Sequence, residues 1–259
     1  MNQRLDGKVA IVTGGARGIG RAIALAFAEN GAMVAVFDVD DDAAEPVKEL
    51  IAAVEHAGAT CLYQRADVTR SADVARGVAA TLQRFRRIDV LVNNAGGGMD
   101  PVPLEDLEEH DWERLIRLNL TATYLCARAV IRSMKSQHQG RIINISSQAG
   151  RSKSELSNLP YASAKAGVLG FTRQLAHELG PHGITVNAIA PGLVLSGERV
   201  ARRWESRPEE ERLQRLGAIA LGRLGKSEEI ASVAVFWASN DATYMTGATI
   251  DVNGGRHMA

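Results

Sequence analysis

Tyr161 and Lys165 stand four residues apart in "YASAK", downstream of "NISS", which ends in Ser146 and Ser147. Four residues make about one helical turn, so the phenol and the ammonium share a face. A free tyrosine has a pKa of about 10, too high for an efficient base near neutrality. A neighbouring cation favours the phenolate. Lowering the value by about two to three pH units takes roughly 3–4 kcal/mol, which a close, partly buried cation supplies. The pair reads as a proton-transfer site. The alternative is the polar start of an ordinary helix with an exposed pair, and two serines compete for one place.

These side chains need a scaffold, and the chain supplies alternating β-rich and helical runs. "KVAIVTG" (8–14), "AMVAVFD" (32–38), 59–65, "IDVLVNN" (88–93), 141–146, 183–189 and 248–252 read as strands. Helices are expected over 19–31, 41–58, 72–86, 112–137, 161–180 and 227–239. Strands alternating with helices of this length imply βαβ units, hence an α/β fold with a parallel sheet covered on both faces. Three irregular stretches, 96–111, 148–160 and 192–222, each follow the C-terminal end of a strand, where open α/β sheets place ligands. No linker, repeat or charge block divides the 259 residues, so one domain over 1–259 is expected. Its cofactor half is about 1–110, its catalytic and substrate loops about 111–222, and its C-terminal part about 223–259.

The first strand runs into "TGGARGIG", with glycines at 14, 18 and 20. Such a turn lets backbone N–H groups approach a pyrophosphate, and the next helix points its positive end at it. The second strand ends in Asp38. A carboxylate there accepts the hydroxyls of an adenosine ribose and repels a 2′-phosphate, which favours NAD over NADP. Arg17 is a counter-signal, because it offers a cation to that phosphate. Asp67 and Val68 end the third strand, where an adenine would lie. "NNAG" (93–96) ends the fourth, and Ala95 and Gly96 leave room for a cofactor. Asn93 is also expected to bridge neighbouring strands through its amide.

Taken together, "TGGARGIG", "NNAG", the Asn119 of "RLNL", "NISS", "YASAK" and "NAIAPG" (187–192) resemble the short-chain dehydrogenase/reductase family across nearly the whole chain. The resemblance implies a Rossmann-like three-layer αβα sandwich on a seven-stranded parallel sheet. It implies a catalytic set of Asn119, Ser147, Tyr161 and Lys165. Tyr161 exchanges the substrate proton, Ser147 holds the substrate oxygen, Lys165 also holds the nicotinamide ribose, and Asn119 holds a water joining Lys165 to solvent. Cofactor contacts fall on Gly14, Arg17, Gly18, Ile19, Gly20, Asp38, Asp67, Val68, Asn94, Ala95, Gly96, Tyr161, Lys165, Pro191, Gly192, Val194 and Ser196. At Ser196 the family usually has threonine. Ser147 is chosen over Ser146 because Gly150 falls three residues after it, as in the family pattern, and because strand alternation puts Ser147 with Ile143 and Ile145. The gap from Ser147 to Tyr161 is then 14, one more than usual, and the extra residue falls in "RSKSELSNLP".

Substrate contacts are expected from Ser147, Gln148, Arg151, Tyr161, Gly192 and Arg199. Arg151, Lys153, Arg199 and Arg202 would give the mouth a positive field suited to a small polar, anionic substrate. The plainer reading is a solvated charged face, since Glu155, Glu198 and Glu205 lie nearby. The long segment after Pro191 reads as a lid, with Ser206 capping a helix in "SRPEEERLQRL". The apolar helix 112–137 and the small-residue helix 161–180 suggest a self-association face, and the family implies a homotetramer. Lys+Arg and Asp+Glu are equal at 30, which gives no support for nucleic-acid or membrane-surface partners. No signal peptide or apolar run of about 18 residues is evident, so a cytoplasmic protein is expected. Cys61 and Cys126 read as small buried hydrophobes, and no metal site is suggested. The leading expectation is an NAD-dependent sugar, sugar-acid or polyol dehydrogenase. A 3-oxoacyl thioester reductase and a non-catalytic NAD(H)-binding regulator are the alternatives.

Overall fold

A computed structural model describes residues 4–153 and 158–258. Strands β1 (Val9–Thr13), β2 (Met33–Asp38), β3 (Cys61–Arg65) and β4 (Val90–Asn93) alternate with helices α1 (Gly18–Glu29), α2 (Glu45–His56) and α3 (Ser71–Phe85). Helices α4 (Glu109–Ile116) and α5 (Ala122–Gln137) lead to β5 (Gly140–Ile145), α6 (Leu159–Leu179) and β6 (Ile184–Pro191). A two-residue β7 (Val194–Leu195), helices α7 (Glu198–Glu205) and α8 (Glu209–Gly217), β8 (Gly225–Lys226), α9 (Ser227–Ala238) and β9 (Thr249–Val252) complete the order. The main sheet is parallel, in the order β3-β2-β1-β4-β5-β6-β9. The chain direction across the sheet reverses at β1 and β4, the switch point at which open α/β sheets leave a crevice.

Strand alternation sorts the core into two layers. Val9 and Ile11 pack with Ala35 and Phe37 against α3, α5 and α6, whereas Ala10 and Val12 pack with Val34 and Val36 against α1, α2 and α9. Near-continuous apolar strands are what burial on both faces requires. The result is the expected three-layer sandwich.

Three local expectations differ. The long helix starts at Glu109 rather than 112, and a π-helical turn, Arg117–Thr121, separates α4 from α5. Asn119 sits in that turn and donates to the Leu115 carbonyl at 3.0 Å, giving a partner to a carbonyl whose helical bond the turn displaces. Ser206 does not cap α8. Its N–H donates to the Arg202 carbonyl at 2.9 Å and its hydroxyl to the Arg203 carbonyl at 3.1 Å, so it closes α7. Pro208 precedes α8 and makes no side-chain cap. The small parallel sheet of β7 and β8 has no periodicity to announce it.

A polar chain crosses this apolar interior. Asn93 and Asn144 lie opposite each other on β4 and β5, and the Asn93 amide donates to Asn144 Oδ1 at 2.9 Å. The Asn144 amide donates to the Thr172 hydroxyl on α6, also at 2.9 Å. The expected strand-bridging role of Asn93 is thus present, and it extends to the helix. Buried polar groups left unpaired cost about 1–3 kcal/mol each. Asn144→Ala should therefore lower stability by about 2–3 kcal/mol, a fall of roughly 4–12 °C in thermal midpoint. Thermal unfolding followed by circular dichroism checks this, and an unchanged midpoint would contradict the network's role.

Candidate active site

The end of β5 and the start of α6 are tied by two bonds in opposite directions. Lys165 Nζ donates to the Ile145 carbonyl at 2.7 Å, and the Ser146 hydroxyl donates to the Lys165 carbonyl at 2.8 Å. Ser146 is buried and committed to this tie. Ser147 emerges beyond it, accepts from the Ala149 N–H at 3.1 Å and hydrogen-bonds the Tyr161 side chain. Both serines border the cleft, but the Ser146 hydroxyl is the one spent on this tie. At Gly150 the 148–150 turn presses on α6, where a Cβ would come within 2.6 Å of the Lys165 carbonyl.

Tyr161 is the third residue of α6, behind the cap Asn158, whose Oδ1 accepts the Tyr161 N–H at 2.9 Å. Lys165 Nζ lies 5.6 Å from the centre of the Tyr161 ring. Burial raises the phenol's pKa, and the bond to Ser147 pulls it the other way. Burial also lowers the Lys165 ammonium to about 8. The protein alone therefore pushes both groups towards neutrality, rather than setting a full ammonium against a phenolate.

Asn119 Oδ1 and Lys165 Nζ converge at Gly96, where a Cβ would stand 2.6 Å and 3.3 Å from them. The Asn119 amide is already occupied. It accepts from the Gly97 N–H at 3.0 Å and donates to the Gly97 carbonyl at 2.9 Å. The Asn119 main-chain carbonyl accepts from the Thr123 hydroxyl at 3.2 Å. So Asn119 holds a loop and belongs to the same cluster as Lys165.

Across the cleft is the glycine turn. Gly14 (φ +62°) and Gly18 (φ +56°) adopt left-handed backbone. A Cβ on Gly20 would meet the Gly14 carbonyl at 2.1 Å, and one on Gly18 would meet the Ser196 carbonyl at 2.5 Å. Arg17 precedes α1 without a side-chain cap, and no acid occupies the helix's first turn. A positive helix end and a surface that only glycine permits fit a pyrophosphate. Thr13, overlooked in the sequence, sets the turn's width. Its hydroxyl accepts from the Asn94 and Ala95 N–H groups, both at 3.0 Å, and donates to the Val92 carbonyl at 3.3 Å. Asn94 bonds the carbonyls of Thr13 and Gly14, both at 2.9 Å.

A cleft of about 1030 Å³ joins these parts. That is the upper end for small-molecule sites and suits a dinucleotide beside a small substrate. Gly14, Arg17, Gly18, Ile19, Asn94, Ala95, Gly96, Ser147, Tyr161, Lys165, Pro191, Gly192, Val194 and Ser196 line it. Gly20, Asp38, Asp67 and Val68 do not; nor do Gln148 and Arg151. Asp38 turns its carboxylate to the Ala16 and Val39 N–H groups at 2.9 and 2.8 Å, and it is Val39 and Asp40 that face the cleft. Asp67 accepts from the Thr69 N–H and hydroxyl at 2.9 and 2.7 Å. Arg17 is held by Asp40 at 2.9 Å. Asp40 is not among the residues expected from the sequence; it is one acid of the run "DVDDD" (38–42).

The expected positive mouth is largely compensated. Arg151 pairs with Asp251 at 3.0 Å, and Arg202 with Glu198 at 3.1 Å. The Arg199 side chain and residues 154–157, which include Glu155 and four of the ten residues of "RSKSELSNLP", lie outside the described residues. The described cations thus follow the plainer reading of a charged face. Among the described residues there is no cluster of metal-ligating side chains, and no helix is long and apolar enough to cross a membrane.

Comparison with known proteins agrees with this geometry. The family model described as "Enoyl-(Acyl carrier protein) reductase" matches residues 14–257. The chain is 42% identical to the 3-oxoacyl-[acyl-carrier-protein] reductase of Pseudomonas aeruginosa, over 98% of this chain and 99% of that one. It is 39% identical to the sorbitol dehydrogenase of Cereibacter sphaeroides, over 99% and 100%. The solved structure of a short-chain type dehydrogenase/reductase from Mycobacterium marinum superposes with a TM-score of 0.91 at 30% identity, covering 100% of this chain and 98% of that one. The chain whose glycine turn and Ser147, Tyr161 and Lys165 side chains share this switch-point crevice belongs to the short-chain dehydrogenase/reductase family of oxidoreductases.

Proposed function

We propose that this protein is an NAD-dependent oxidoreductase that interconverts a secondary alcohol or hemiacetal and its carbonyl in a small polar substrate. A sugar, sugar acid or polyol is the favoured class. The observation that carries this reading is that Ser147, Tyr161 and Lys165 line the same cleft as the glycine turn.

When bound, the nicotinamide accepts or returns the hydride. The protein's part is proton transfer and orientation. In oxidation the Tyr161 oxygen takes the hydroxyl proton of the substrate; in reduction it gives one back. Ser147, already bonded to Tyr161, holds the substrate oxygen as charge develops on it. Lys165 sits on the Tyr161 side of the cleft and holds the nicotinamide ribose. Asn119 keeps the Gly96–Gly97 wall in place beside Lys165 and so supports the route by which the proton reaches solvent. Gly14 and Gly18–Gly20 take the pyrophosphate, and Pro191, Gly192, Val194 and Ser196 the carboxamide end. Asp38, Asp67 and Val68 do not line the cleft and are read as bordering its adenosine end, the two acids from behind the local backbone they bond. The preference for NAD rests on two acids: Asp38 excludes a 2′-phosphate, and Asp40 occupies Arg17, the cation that would otherwise receive one.

A second reading, reduction of 3-oxoacyl thioesters, is favoured by the 42% identity to a reductase of that class. The sorbitol dehydrogenase relative favours the polyol reading. We further propose a cytoplasmic homotetramer of one-domain chains. The exposed Tyr124 and Trp112 on α5 and α4 support a self-association face.

NADH formation with sugars, sugar acids and polyols, and NADH oxidation with acetoacetyl-CoA, separate the two classes. With whichever substrate turns over, Tyr161→Phe should lower kcat by about 10²–10⁴-fold; equal turnover would remove the mechanism. By calorimetry, NAD should bind at least about 100-fold more tightly than NADP, and Asp38→Asn should narrow that gap. Tighter binding of NADP would overturn the cofactor assignment. Because burial raises the Tyr161 phenol, the rate of oxidation should climb as pH rises from 7 to 9, as the base form accumulates. The reductive rate, which needs the protonated phenol, should stay level over that range. A pH–rate profile in each direction tests the sign.

A further inference from the structure

We propose that Asn158 is a positioning residue that clamps the Gly96–Met99 wall of the cleft against Tyr161, using both ends of one amide. The proposal rests on the catalytic reading of Tyr161 above.

The wall is an unusual piece of backbone. Gly96, Gly97 and Gly98 run together in a stretch without regular structure. Glycine loses more freedom on ordering than any other residue, so such a run stays in place only if other groups hold it. Two asparagines do so. Asn119 takes the N–H and the carbonyl of Gly97. Asn158, 2% exposed, donates from Nδ2 to the Met99 carbonyl at 2.7 Å. Between these anchors the wall passes close to the tyrosine: a Cβ on Gly98 would lie 3.4 Å from Asn158 Nδ2 and 3.6 Å from Tyr161 Cδ2.

The acceptor end of the same amide takes the Tyr161 N–H at 2.9 Å. The local sequence favours that partner. In "NLPY" the second helical residue is Pro160, which has no N–H, so the cap's bond passes to the third residue, Tyr161. One buried side chain therefore fixes the backbone of Tyr161 and the wall beside its ring. The Lys165 ammonium and the Ser147 hydroxyl bear on the phenol from α6 and from the end of β5. Neither reaches Met99 by any described bond. If the clamp is removed, Asn119 still holds Gly97, but the Gly98–Met99 part of the wall is free to leave the ring while the Tyr161–Lys165 pair stays intact.

The test uses Asn158→Ser, which keeps a helix-capping oxygen and is too short to reach Met99, with Asn158→Leu as the variant that loses both ends. Hydrogen exchange of the cofactor-free protein is read at the amides of 97–99 and of 159–163. Asn158→Ser should speed exchange at 97–99 by about tenfold while 159–163 stay near wild type. Asn158→Leu should speed both. With sorbitol and NAD, or acetoacetyl-CoA and NADH, Asn158→Ser should lower kcat by about tenfold and leave the KM for the dinucleotide unchanged. A pure capping role would leave 97–99 protected in Asn158→Ser, and that result, or an unchanged kcat, overturns the proposal. Tyr161→Phe is measured in parallel. Full activity in that variant would remove the catalytic reading, while the exchange data still decide whether Asn158 holds the wall.

Discussion

The reciprocal tie between β5 and α6 is the constraint on which the site depends. Lys165 reaches back to the Ile145 carbonyl and its own carbonyl receives the Ser146 hydroxyl, so helix and strand end cannot slide or rotate independently. Every other placement follows. Ser147 is the first residue past the tie and turns into the cleft. Tyr161, one turn before Lys165, is carried to it. Gly150 is needed because the turn after Ser147 lies against the helix backbone at that point. The Asn93–Asn144–Thr172 chain repeats the connection deeper in the sheet. Both ties are polar bonds in an apolar interior, where an unpaired partner is costly and alternative arrangements are correspondingly penalised.

Asparagine is the material of the second constraint. Asn94, Asn119 and Asn158 each bond backbone in the glycine-rich loops that border the cleft. Glycines allow a ligand to approach closely but leave the chain free, and the amide side chains restore order without filling the space. The π-helical turn at Asn119 has the same logic. It displaces a helical carbonyl bond, and the side chain both covers that carbonyl and reaches the loop.

Electrostatics at the site are less one-sided than the residue types suggest. Burial lowers Lys165 to about 8 and raises Tyr161, so the ion pair imagined from the spacing is opposed by desolvation. Outside, the arginines of the mouth are mostly spoken for by Asp251, Glu198 and Asp40. Arg203 on α7 also bonds Asp100 beyond the glycine wall, so α7 and the end of the wall are joined by a surface pair.

The sequence by itself determined the α/β class, the seven parallel strands and most helix spans, because burial on two faces writes apolar strands and periodic helices directly into residue order. It also placed the glycine turn and the Tyr161–Lys165 pair, since both are local patterns. The ends of α3 and α9 follow the apolar periodicity to within a residue, the Asn158 cap that starts α6 two residues early went unread, and Ser206 misled because a serine after one helix reads the same as a serine before the next. The spacing to Gly150 already favoured Ser147; tertiary structure alone decided that Ser146 is tied down, because its partner is a carbonyl 19 residues away. It also decided that Asp40 occupies Arg17, that Asp251 takes Arg151, and that Asn158 reaches Met99. Those are pairings between distant segments, set by how the loops meet above the sheet, and no local spacing records them.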